Sequence, residues 1–542
     1  MLALAGFLWV EAPGWLADPE TVLDHYEDDA YYNFQVARNV ARGRGMTFDG
    51  VSPTNGVHPA VFLTALPLFL ASGKDDVLPL RLYGILLLGL YVLIGRQLWV
   101  GSRNRLSNPA RWVLMAVWFG SQYFRCIGLK GCDGLWAAFF SLSALLAYAR
   151  ESAREPPRWW RVGLWSALAI LTRLDQAALV AAFIADRWIR RGRSPTKASG
   201  ESLRIALLPV LAAAVLLMAN QLYLGSPMPD NGRAVKAIAH GVAFYDEHFG
   251  ARDRLLTLEE MQPLHTPMDL ASISPLKMSL IGTGMTLVSL ADAFLWDPWA
   301  HENLPGRWNP PPAGILLIAA ALGAALHRIA AFRRHRPAGW GVAAGLYPLF
   351  ILLGYNLFIG SYWAYSRYFY PAVLAGGLAI GESLDARIEW RGKAGRTIAT
   401  AIYSLAFALA SWFIPSEHLL YVEATPNRAM IDDIERLTPP NARIGAFQSG
   451  SLAYRTHRQV FNLDGKVSHA ALEAYAEGRM DAYVKSLGID YLIDWPFVIN
   501  YSFFFRSTRP DAFSLQPLKI CNDPYRRTLY RLIPREAEAG NP

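Results

Sequence analysis

The chain has 542 residues, of which 53% are hydrophobic and 18% charged, against about 25% charged in soluble domains. Its net charge of +8 sits in short basic loops between apolar stretches. That placement excludes nucleic acid as a partner and reads as the inner-side anchoring of a polytopic membrane protein. Cys126, Cys132 and Cys521 are too few for a disulfide framework and show no metal-ligand spacing.

In chain order, an apolar run from Leu2 to Val10 has no preceding basic region and no clear cleavage site, so residues 1–17 are expected as a first transmembrane helix. Further segments with room to span fall near 79–100, 111–127, 133–150, 160–172, 173–189, 203–224, 312–332, 339–360, 368–385 and 397–415, about eleven in all. Arg-rich loops at 101–111, 186–204, 328–336 and 386–396 fall on one side under this count, the cytoplasmic side. Segments 18–78, 225–311 and 416–542 then face outward. Pro59 to Ser72 and Leu276 to Trp296 are placed at the outer surface as interfacial or partly re-entrant helices.

Residues 1–415 are thus expected as a helical membrane domain, and residues 416–542 as a small α/β domain outside the membrane. In the latter, Ala442 to Phe447, Gln459 to Leu463 and Thr528 to Ile533 read as strands. Asp464-Gly465 reads as a turn and Ala470 to Leu487 as helical.

The stretch Tyr26 to Pro59 carries the chemistry. Asp28 and Asp29 can start a helix running to about Arg42, with Tyr32, Val36 and Val40 on one face and Arg38 and Arg42 on another. Such a helix would lie on the membrane, apolar face down, and hold the acidic pair at the lipid boundary. The pair is open to two readings. One is a plain helix cap. The other is a base for an acceptor hydroxyl, with cations or N–H groups around a departing phosphate.

Asp28-Asp29-Ala30-Tyr31-Tyr32, followed by Thr54-Asn55-Gly56-Val57-His58-Pro59, resembles the first outer loop of the GT-C glycosyltransferases, which use polyprenyl- or dolichyl-phosphate sugars. Leu171-Thr172-Arg173-Leu174-Asp175, Tyr223 to Asn231 and Ser366-Arg367-Tyr368-Phe369 fit the same family in order. The resemblance implies Asp28 as the catalytic base, with Asp29 next. It implies Arg367, Arg173, Arg233 and Lys236 as donor-phosphate candidates, and His58, Asn55, Tyr368 and Asn231 in substrate placement. Arg367 could equally reach lipid headgroups, and Arg173 with Asp175 reads as an ion pair shaping the cavity. Arg125, Lys130 and Asp133 lie where O-mannosyltransferases carry an Arg and an acid, but the match there is poor.

The expected partners are a polyprenyl-phosphate sugar donor, a glycan, glycolipid or protein acceptor, and membrane lipids. No cofactor is implied beyond a divalent cation, which two adjacent carboxylates could accept. Gly445 to Gly450 reads either as a structural turn or as a phosphate-binding one. The rival reading is a lipid or solute transporter, which would place charged or broken segments at mid-membrane. Here the polar candidates gather at outer helix ends.

Overall fold

The computed structural model of the protein describes residues 2–191, 194–248, 254–257, 341–355, 366–388, 428–521 and 526–535. Among these residues, helices make up nearly all of the regular structure as far as Ile388, and residues 428–535 hold a five-stranded sheet with short helices around it. The chain is mainly α with a small α/β domain at its C-terminal end. The expected segments at 312–332 and 397–415, the run Leu276 to Trp296, and the Arg loop at 328–336 lie outside the described residues.

Among the described residues, two helices are long and apolar enough to cross a membrane, Leu78–Gly101 and Pro195–Leu224. The second spans 30 residues, about 45 Å at 1.5 Å per residue. It starts well inside the stretch expected to be a basic loop. Pro195 sits in its first turn, where a missing N–H costs nothing, and Gly225 ends it at φ 72°. The Arg cluster there is clasped, with Arg187 2.6 Å and Arg191 3.3 Å from the Glu201 carboxylate. Along this helix Leu203, Leu207, Val210, Leu211, Val215, Met218 and Leu222 are all more than half exposed. The segment expected to span at 111–127 is instead two helices, Asn108–Gly120 and Gln122–Leu129, parted at Ser121 where the backbone turns extended.

Helix Asp28–Ala41 forms where expected, with Glu27 in the N-cap position and both aspartates in the first turn, where negative charge suits the macrodipole. It does not lie on a lipid surface. Tyr31, Tyr32, Phe34, Val36 and Ala37 are all buried. Helix Pro59–Ser72 covers one side and helix Gly450–Arg455 of the C-terminal domain another. The Tyr31 and Tyr454 rings lie 5.1 Å apart. The Arg38 guanidinium stacks 4.2 Å over Tyr454 and donates to its carbonyl at 3.1 Å. A helix with tyrosines, asparagines and Arg38 on its remaining faces can be buried because each polar group finds a partner.

The sheet runs Gln459–Asn462 (β2), Arg443–Ala446 (β1), Tyr491–Asp494 (β3), Thr528–Pro534 (β5) and Phe513–Ile520 (β4) in spatial order. β1 is parallel to β2 and β3, while β5 is antiparallel to β3 and β4. The stretch expected as one helix, Ala470 to Leu487, is two, His469–Ala476 and Met480–Ser486, broken at Gly478 with φ 68°.

At the end of β3, Asp494 accepts from the N–H groups of Phe447 and Gln448 at 3.0 and 2.9 Å and so shapes the turn after β1. Burial pushes its carboxyl up to about 6, against Arg527 and the N–H donors. A raised carboxyl favours the protonated folded form. Its contribution is full below the ordinary value of 3.8 and is lost as pH rises through 6, about 3 kcal/mol for a shift of roughly two units. The thermal midpoint of the detergent-purified chain, followed from pH 4 to 7, is expected to lose this component in Asp494→Asn. An unchanged pH slope in the variant would refute the assignment.

Candidate active-site cleft

Four of the sequence motifs meet at one cleft of about 180 Å³. Helix Asp28–Ala41 brings Asp29, Tyr32 and Asn33 to its wall, and the loop before helix Pro59–Ser72 brings Gly56 and His58. Arg173 and Asp175 stand where helix Trp159–Thr172 ends. Asn231 and Gly232 come from the start of helix Asp230–His248, and Tyr368 comes from helix Ser366–Ile388. The C-terminal domain adds Lys466. Ile170, Leu171, Leu216 and Met228 supply an apolar wall, Leu216 from the long helix Pro195–Leu224.

The loop Thr54 to Pro59 is held by its own side chains. Thr54 Oγ1 accepts from the Gly56 N–H at 3.0 Å, and Asn33 accepts from the His58 N–H at 2.7 Å. Pro59 then starts the next helix. Asn55 accepts from the Asp230 N–H at 2.9 Å, so it ties two outer segments together and does not line the cleft.

The two aspartates have different surroundings. Asp28 is 4% exposed. Its carboxylate accepts from the Gly450 N–H at 3.1 Å, the Ser451 N–H at 2.8 Å and the Ser451 hydroxyl at 2.7 Å. It therefore occupies the N-terminus of helix Gly450–Arg455 as a bound anion would. The turn after β1, one reading of which was phosphate binding, takes this internal carboxylate. Asp29 lines the cleft, with Lys466 Nζ 3.6 Å away.

Lys466 lies 3.2 Å from Asp464 and 5.6 Å from the centre of the Tyr32 ring. Burial would push its ammonium down. Asp29 and Asp464, with Tyr32 and Tyr368, outweigh that and hold it well above the usual lysine range.

Across the cleft, Arg173 makes 2.6 Å contacts with both Asp133 and Asp175 and donates to the Tyr355 hydroxyl at 2.7 Å. It lies 4.4 Å over the Tyr368 ring, which stacks on Tyr355 at 5.3 Å. Two carboxylates already balance its charge. His58 Nδ1 lies 3.5 Å from Asp133.

Arg233 does not line the cleft. It pairs with Glu473 of the C-terminal domain at 2.7 Å. Lys236 is exposed and also outside the lining. The Arg367 side chain lies outside the described residues. Its backbone opens helix Ser366–Ile388 one residue before Tyr368.

No group of three or more His, Cys, Asp and Glu is placed to hold a metal ion among the described residues. The Asp28 carboxylate is engaged by Gly450 and Ser451, and the Asp29 carboxylate faces the cleft beside Lys466.

Over 98% of its length the chain superposes on 73% of the oligosaccharyltransferase of Archaeoglobus fulgidus tethered with an acceptor peptide containing the NVT sequon, at a TM-score of 0.51 and 14% identity. The same enzyme in complex with Zn and sulfate gives a TM-score of 0.50 at 12% identity, covering 98% of this chain and 72% of that one. The apo ArnT of Cupriavidus metallidurans covers 97% of both chains at 12% identity and a TM-score of 0.41.

The fold is that of the GT-C glycosyltransferases.

Residues 420–533 match a family model described as a domain of unknown function (DUF8728). This stretch contains the five-stranded sheet. No curated protein matches the chain in sequence.

The sequence motifs include neither Lys466 nor Tyr355, and Asp133 matches them poorly. A usable signal existed for Lys466. It follows an Asp-Gly turn at the C-terminal end of parallel strand β2, the end at which open α/β sheets place ligand-facing loops.

Proposed function

We propose that the chain is an integral membrane glycosyltransferase that moves a sugar from a polyprenyl-phosphate carrier to an acceptor hydroxyl on the outer face of the membrane, in cell-envelope glycan or glycolipid assembly. The observation that carries this reading is the cleft itself. A carboxylate and cationic groups lie beside an apolar wall that includes Leu216, on a helix with its apolar stripe exposed. A ligand with a charged head and an isoprenoid tail suits such a surface. The count of about eleven spans and the outward placement of residues 416–542 belong to the same proposal.

In the proposed reaction Asp29, in place of Asp28, accepts the proton of the acceptor hydroxyl as its oxygen attacks the anomeric carbon. The bond from that carbon to the phosphate oxygen breaks, and the electron pair leaves with the phosphate. A single displacement of this kind inverts the configuration. Arg367 is kept as a phosphate-binding candidate because it adjoins Tyr368. Arg173, already balanced by Asp133 and Asp175, is assigned to shaping the cleft and holding Tyr355. His58 and Asn231 line the cleft and are assigned to substrate placement.

The test is transfer in membranes carrying the full chain, with radiolabelled polyprenyl-phosphate mannose and polyprenyl-phosphate arabinofuranose. Label leaving the carrier for an acceptor only when the chain is present is the expected result, and it names the sugar. Carrier movement across the membrane without transfer would instead favour a flippase.

A further inference from the structure

The C-terminal domain meets the first outer loop backbone to backbone. A Cβ on Gly56 would lie 1.7 Å from the Lys466 carbonyl oxygen and 3.1 Å from the Val467 Cα. A Cβ on Gly450 would lie 2.0 Å from the Asp28 carbonyl oxygen. Only glycine permits either approach. Between these two contacts stands the acidic pair, with Asp28 on the N–H groups of Gly450 and Ser451 and Asp29 beside Lys466.

We propose that Lys466 is a positioning residue for Asp29, so that the C-terminal domain is a working part of the catalytic cleft. The adjacent aspartates then divide two tasks that depend on each other. Asp28 docks the domain, and the docked domain delivers a cation to Asp29. Lys466 can do this because it is itself fixed. It is 8% exposed, its N–H donates to Asp464 at 2.8 Å, and its ammonium lies 3.2 Å from the same carboxylate. The turn that carries it is closed by Asn462, which accepts from the Gly465 N–H at 3.1 Å. An ammonium 3.6 Å from a carboxylate holds that carboxylate ionised, and a base must be ionised to take a proton. The other ionisable groups around Asp29 are Asp28 and Tyr32 on its own helix, Asp464 beside Lys466, and His58, Arg173, Asp175, Tyr355 and Tyr368 lining the cleft.

The inference deepens the proposed function and rests on its assignment of Asp29 as the base. Its test therefore has one readout that needs no activity. Carbodiimide labels only protonated carboxyls, so labelling of Asp29 in the purified full-length chain, read by mass spectrometry against pH, follows its ionisation. In Lys466→Met the labelling midpoint is expected to rise by about one pH unit or more. The acid limb of transfer from the labelled polyprenyl-phosphate sugars should rise with it. Lys466→Arg keeps the cation and should keep both. Lys466→Met combined with Asp464→Asn removes the buried carboxylate that the single variant leaves unpaired. It guards against a fold too damaged to read. An unmoved midpoint in both Met variants overturns the inference and leaves the function reading standing. A moved midpoint with an unmoved transfer limb supports the Lys466–Asp29 coupling and removes Asp29 as the base.

Discussion

Asp29→Asn is expected to lower sugar transfer by roughly 10²–10⁴-fold, the usual contribution of a positioned general base, while the protein inserts and melts as the native chain does. Asn keeps the shape and loses the ability to hold the acceptor proton, together with the charge that faces Lys466 at 3.6 Å. The side chain lines the cleft and is 19% exposed, and buried Lys466 keeps Asp464 as its partner at 3.2 Å. The neighbouring variant separates the two roles. Asp28→Asn exchanges one acceptor oxygen for an amide aimed at N–H groups, in a site where the carboxylate accepts from Gly450, Ser451 and the Ser451 hydroxyl. Hydrogen bonds to a charged group contribute about 1.5–3 kcal/mol each, so a stability loss of about 2–4 kcal/mol is expected, read as a lower thermal midpoint in detergent. Native transfer by Asp29→Asn would end its assignment as the base. Loss of transfer in Asp28→Asn at a native melting point would return the catalytic role to Asp28.

Gly56→Ala is expected to abolish most activity although it adds a single methyl group. The added Cβ would stand 1.7 Å from the Lys466 carbonyl oxygen and 2.8 Å from its carbonyl carbon. Those are backbone atoms, held by the turn that Asn462 closes, so neither partner can rotate away. The C-terminal domain must move by more than an ångström, and Lys466 moves with it. Displacements of that size cost about 10²-fold in positioned chemistry, and forced overpacking costs about 1–3 kcal/mol besides. Transfer rate and thermal midpoint measure the two effects. Gly120→Ala, with nothing within 4 Å of its Cβ, is the control and should match the native chain. A Gly56→Ala protein with native rate and midpoint would mean that the domain is not seated on this loop.

Several elements of this fold are legible in the sequence because their cause is local. Asp28 and Asp29 at a helix start, Pro59 opening the next helix, and the alternation that marks Thr528 to Ile533 all depend on residues within one or two turns. The break at Ser121 falls in Gly120-Ser121-Gln122, a short interruption that the apolar residues on either side mask at span length. Strand Phe513–Ile520 is hidden in the sequence because Pro517 and the register shift after it interrupt its alternation, which an edge of the sheet tolerates. The helix at Asp28 looks suited to lipid because one face is apolar, whereas the C-terminal domain, more than 400 residues later in the chain, covers it.

The division within the candidate site has the same origin. Residue types and their order, read in the sequence alone, assembled the acidic pair, the loop Thr54 to Pro59, Arg173 with Asp175, and Tyr368, since each motif is a short local pattern. Which aspartate faces the cleft was not local. Adjacent residues on a helix differ in direction by about 100° at 3.6 residues per turn, and only the packed domain says which direction leads to solvent and which to a waiting helix terminus. Lys466 was likewise invisible as a partner of Asp29, because a contact across 437 positions leaves no trace in local spacing. The tertiary structure decided it, by bringing two backbones so close that only glycines fit between them.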